Sequence, residues 1–119
     1  MARRRIAQDE GLAAVRAARD GAEDRPTLAT ATRFLLEELA EIAPGNALEV
    51  RVPPFGATQC LPGPRHTRGT PPGVVETDPA TWLALATGGL EWDTALAEGR
   101  VAASGVRADL APLLPLVRL

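Results

Sequence analysis

The sequence predicts an α+β domain with a mainly antiparallel sheet. Apolar stripes at helical spacing occur near the start and again in the last third, and the middle carries short segments of period-two alternation closed by Pro- or Gly-rich turns. Helices and strands do not alternate strictly, as a parallel βαβ sheet would require. At 119 residues the chain is long enough for one continuous core and not for two. Residues 1–26 read as an N-terminal tail with a short helix, and residues 27–119 as the domain that owns the core.

The elements follow in order. Ile6 to Arg19 is an Ala-rich helix with Leu12, Val15 and Ala18 on one side, stopped at Asp20-Gly21, and Asp20 to Pro26 reads as a connector. The second helix, Thr27 to Ala43, puts Leu28, Ala31, Leu35, Leu39 and Ile42 on one face and Arg33, Glu37 and Glu41 on another; Pro44-Gly45-Asn46 ends it. Leu48, Val50 and Val52 alternate with Glu49 and Arg51, a strand with one buried face. Past Pro53-Pro54, Phe55 to Leu61 continues as a second strand and forms a hairpin with the first. Val74 to Thr77 and Arg100 to Ser104 complete the strands.

Asp78 is placed to cap a helix that has Pro79 at its first position and ends at Gly88-Gly89. Leu90 to Glu98 makes a shorter helix, stopped by Gly99. Asp109 is placed to cap a terminal helical segment in which Leu110, Leu113 and Leu114 share a face, its length limited by Pro115.

Composition excludes several classes of function. The net charge is −2, with no clustered basic face of the kind nucleic-acid binding requires. A single Cys60 and a single His66 allow neither an internal disulfide nor a four-ligand zinc site, so no metal or other cofactor is expected. No apolar run approaches the ~18 residues that span a bilayer, and no apolar segment follows the basic Met1 to Arg5. A reducing cytoplasm without integral membrane association is the expected setting. Aromatic residues make up only 3% of the chain, so the core must be built from Leu, Val and Ala and is easily left incompletely filled.

The stretch Thr77 to Leu119 (TDPATWLALATGGLEWDTALAEGRVAASGVRADLAPLLPLVRL) runs helix, Gly, acidic helix start, Ala-rich turn, Gly, basic strand, Gly, Leu-rich segment. This order resembles the C-terminal half of the sterol carrier protein 2 family, and the likeness in element order extends over about residues 27 to 116. The resemblance implies a twisted, mainly antiparallel five-stranded sheet with helices packed on one face, and an apolar ligand held between sheet and helices. It implies that Trp82, Leu83, Leu85, Leu90, Leu96 and Val101 face such a cavity, with Leu110, Leu113 and Leu114 closing it. The same stripes, read on spacing alone, fill an ordinary core. All 13 basic residues are Arg, the signature of a GC-rich bacterial genome, and bacteria mostly lack sterols. The ligand expected is therefore a fatty acyl lipid or another apolar small molecule.

Chemistry-bearing groups concentrate in Gly63 to Thr70, which holds the only His, two Arg and two hydroxyls. Arg65, His66 and Arg68 would contact the polar end of a ligand; alternatively the two Arg pair with Glu76 or Asp78 and pin the loop. Cys60 and His66 are the only nucleophile and base pair, and nothing beyond proximity in sequence suggests an activated thiol. The reading is a non-catalytic carrier. Its alternative is an accessory domain that docks on a separate enzyme and has no ligand of its own.

Overall fold

The computed structural model describes residues 5–63 and 73–119. Helix α1 (Gln8–Arg19) starts at Ala7 without a side-chain cap, so its place depends on packing against helix α2 (Arg25–Ile42). At its end the Gly21 amide donates to Ala18 and the Ala22 amide to Ala17, with Gly21 at φ +107°, the left-handed stop expected there. Helices α3 (Pro79–Thr87) and α4 (Trp92–Ala97) end on the same pair of bonds, turning at Gly88 and Gly99.

Helix α2 begins two residues before the expected Thr27, because Asp24 is its N-cap. The Asp24 carboxylate accepts both the amide (3.1 Å) and the hydroxyl (2.7 Å) of Thr27. Asp78 repeats the device for α3, accepting the Thr81 amide at 3.1 Å and its hydroxyl at 2.6 Å. The buried face of α2 is wider than the predicted stripe. Ala31, Leu35 and Leu39 are buried as expected, and Phe34 and Leu36 are buried as well, whereas Ile42 is half exposed. Phe34 faces α1 and Leu36 lies over the sheet at Gly56, so α2 has neighbours on two sides.

Among the described residues the sheet has four strands: β1 (Leu48–Val52), β2 (Gly56–Cys60), β3 (Gly73–Thr77) and β4 (Val101–Gly105), in the order β2-β1-β3-β4. The β1–β2 hairpin and the β3–β4 pair are antiparallel; β1 and β3 are parallel. Leu48 stands in register with both Cys60 and Gly73, so the chain leaves β2 and enters β3 on either side of the start of β1. Leu48, Val50, Val52, Val75 and Val101 point to the helices and are buried, while Arg51, Gln59, Glu76 and Ala102 lie on the solvent face. The α+β class and the mainly antiparallel sheet with helices on one face hold.

Two predicted elements are shorter than expected. Helix α4 starts at Trp92 and not at Leu90, because the Leu90 amide is still donated to Ala84 as part of the exit from α3. The terminal segment is a single 3-10 turn, Ala111–Leu113, and not a helix. Asp109 is not its N-cap, which is Leu110, but accepts the Ala111 amide at 2.9 Å from one residue earlier; Pro115 disfavours a helical Leu114, which is extended at ψ 145°. The tail then docks on α3, where the Leu116 and Val117 amides both donate to the Ala86 carbonyl.

Candidate functional site

Helix α3 has two apolar faces, and they have different fates. Trp82, Leu85 and Ala86 point inward and are at most 1% exposed. They join Phe34, Leu35, Leu39, Leu48 and Leu110 in the core that binds helices to sheet. The indole N–H of Trp82 donates to the Thr32 carbonyl at 3.3 Å and ties α3 to the middle of α2. On the opposite side of α3, Ala80, Leu83, Ala84 and Thr87 face α1. Neighbouring positions at helical spacing thus separate into a core stripe and a cleft stripe.

The cleft on that second side measures about 550 Å³. Val15 and Ala18 of α1 form one wall, Leu83 and Ala84 of α3 the other, and Leu28 of α2 also lines it. Its lining is apolar apart from Thr87 and the charged Arg19 and Glu23. Arg19 is tied to Asp20 at 3.2 Å, in a pair whose members are both well exposed. The volume lies within the roughly 300–1,000 Å³ typical of small-molecule sites.

The expected ligand-facing residues do not converge on one surface. Trp82, Leu85 and Leu110 are fully buried in the core, and Val101 is buried where β4 starts. Leu83 lines the cleft beside α1. Leu90 and Leu114, with the edge of Leu85, line a smaller pocket of about 360 Å³ whose other groups include Glu91, Asp93 and Arg118. Leu113 is half-buried against the core, and Leu96 is 39% exposed on the outside of α4. Arg65, His66 and Arg68 lie outside the described residues.

The sequence does not reveal the part played by α1 and the turn after it. Val15 and Ala18 share an apolar stripe in the sequence, but a stripe does not say which helix it meets, and Gly21 to Glu23 carries only the marks of a connector.

Cys60 is fully buried at the end of β2. Burial pushes its thiol up to about 11, away from the thiolate that nucleophilic chemistry requires. Among the described residues no group of three or more His, Cys, Asp or Glu is arranged to hold a metal ion.

A family model described as "Bacterial SCP ortholog" matches residues 24–116. The chain belongs to this sterol-carrier-like family. No curated protein matches it. Membership supports a general role in binding lipids or other small molecules. The matched span opens on Asp24, the N-cap of α2, so α1 and the wall it gives the cleft lie outside that span. Among the described residues, no helix is long and apolar enough to cross a membrane.

Proposed function

We propose that this sterol-carrier-like protein is a cytoplasmic, non-catalytic carrier of an apolar small molecule, a fatty acyl chain rather than a sterol. The observation that carries the reading is the apolar cleft of about 550 Å³ between α1 and α3, with Arg19 among its lining residues. An acyl chain would lie along Val15, Leu28, Leu83 and Ala84, where each methylene removed from water contributes ~0.8 kcal/mol. Arg65, His66 and Arg68 remain the proposed contacts for its polar end. The preference for an acyl chain rests on the bacterial character of the family, since sterols are scarce in bacteria.

The filled interior favours a second reading. Trp82, Leu35 and Leu85 fill the core that joins helices to sheet, where the family resemblance places the ligand, and a cleft open to one side also fits an apolar segment of a partner enzyme. Titration of the delipidated protein with a fluorescent fatty acyl probe separates the two. Saturable one-to-one binding at about −8 kcal/mol or better, abolished by Ala84→Phe in the cleft wall, supports the carrier. No binding of acyl chains, isoprenoids or sterols rejects the carrier and leaves the docking domain.

A further inference from the structure

Two arginines are held at Phe55, at the turn between β1 and β2, and a third lies in the hollow beside it; none of them has a carboxylate partner among the described residues. The Arg25 guanidinium stacks over the Phe55 ring, 5.3 Å from its centroid. Arg33 donates through Nε to the Phe55 carbonyl at 2.8 Å, which leaves both terminal nitrogens without an acceptor among the described residues. Arg33 and Arg5 line a hollow of about 460 Å³ between Ile6, the exposed side of α2 and β2, and Arg25 adjoins it through the Phe55 ring. The one carboxylate in the groove, Glu37, is turned to the Ile6 amide, which it accepts at 3.2 Å.

This clustering differs from the arrangement at several other arginines. Elsewhere Arg19, Arg51 and Arg100 sit beside Asp20, Glu49 and Glu98, and Arg107 donates to the Pro62 carbonyl. In a chain of net charge −2, two guanidiniums line the groove and a third adjoins it at the Phe55 ring, against one lining carboxylate, which is a local excess of positive charge. Two of the three, though exposed, each have a contact with Phe55 that restrains them, so less ordering is needed when a ligand arrives. Thr30 and Thr58 line the walls and supply hydroxyl donors, and Leu36 and Phe55 offer apolar surface beside them.

From this geometry we infer that the groove is an anion site that takes the phosphate group of a small organic molecule or of a lipid head group. A phosphate presents several acceptor oxygens, which guanidinium forks bind in pairs, while an adjoining apolar portion would rest on Leu36 and Phe55. The inference stands apart from the carrier reading, because the groove shares no lining residue with the cleft between α1 and α3.

The test is calorimetry with inorganic phosphate and glycerol 3-phosphate, beside co-sedimentation with phosphatidylcholine vesicles with and without phosphatidic acid. Two variants accompany the wild type: Arg25→Gln with Arg33→Gln, and Arg25→Gln alone, which removes a group held only by the ring. Saturable glycerol 3-phosphate binding, weakened about tenfold by the double variant and less by the single one, identifies a soluble phosphate ligand. Binding only to vesicles that contain phosphatidic acid, with the same variant dependence, identifies a head group. In either case affinity falls as salt rises, and Ala84→Phe, which blocks the other cleft, leaves it unchanged. The inference is overturned if neither arm shows binding, or if Arg25→Gln and a double variant of unchanged melting temperature both bind as the wild type does.

Discussion

Gly11 of α1 packs flat on the ring of Phe34 in α2, so closely that a Cβ at position 11 would overlap the ring carbons. Phe34 is 1% exposed and enclosed by its neighbours, so the strain of a larger residue falls on α1, which has no side-chain cap of its own. Gly11→Ala would raise helix propensity by up to ~1 kcal/mol, yet overpacking of about 1–3 kcal/mol outweighs it. The variant is expected to melt lower and to bind the acyl probe more weakly, since α1 carries Val15 and Ala18 of the cleft wall. Adding Phe34→Leu should restore part of both losses, and equal, additive losses in the double variant would refute the contact as the cause.

Cys60 makes a prediction at the alkaline end. Its thiol titrates near 9.0 when unfolded and about 11 in the fold, with burial as the cause. The folded state therefore holds a proton that the unfolded state releases, so this contribution is intact below pH 9 and is lost as the pH rises to about 11. The shift corresponds to about 2–3 kcal/mol. Cys60→Ala should flatten that alkaline decline in denaturant titrations. A thiol reagent at neutral pH should label the wild type only as fast as it unfolds; rapid labelling of the native protein would show that the thiol is accessible.

Much of this fold was legible because its boundaries rest on local chemistry. Pro79 after Asp78, the glycines at 21, 88 and 99, and the alternation from Leu48 to Val52 each act within a few residues, and each appears in the structure as read. Elements that depend on more distant partners were harder. The start of α2 lay hidden in an acidic run until Asp24 was seen to hold Thr27, and Leu90 belongs to the exit of α3 through its bond to Ala84. The site was least legible of all. Leu83 and Leu85 are equally apolar in sequence, but one faces the cleft and the other the core, and only the position of α1 separates them.

The paired Asp caps govern the acid limit. Burial raises the Asp78 carboxyl, but the hydrogen bonds from Thr81, its own amide and the nearby Arg100 together outweigh that and hold it below 3.8. The Asp24 carboxyl is lowered first by its side-chain bond to Thr27. In both cases the depressed folded value means that stabilisation is present above the unfolded carboxylate value and is lost as pH falls through the folded one. Asp78→Ala should destabilise the protein at neutral pH by about 0.5–2 kcal/mol and reduce the fall in melting temperature below pH 4. An unchanged acid profile in Asp78→Ala would remove Asp78 from that role.

Trp82 tests whether the space between sheet and helices is filled. It is the largest fully buried side chain, and its one polar atom is satisfied by the Thr32 carbonyl. Trp82→Phe removes that bond and part of the volume, and should cost about 1–2 kcal/mol. Trp82→Ala should cost about 3–5 kcal/mol, because the packed core around it closes only partly over the gap. The gap would be lined by Leu, Val and Phe, so the alanine variant should acquire affinity for small apolar compounds that the wild type excludes, as dry apolar cavities do. Iodide quenching of Trp82 fluorescence in a Trp92→Phe background provides the direct measurement. Weak quenching is expected for a packed interior, and strong quenching in the wild-type core would show an open tunnel and return the ligand to the space between sheet and helices.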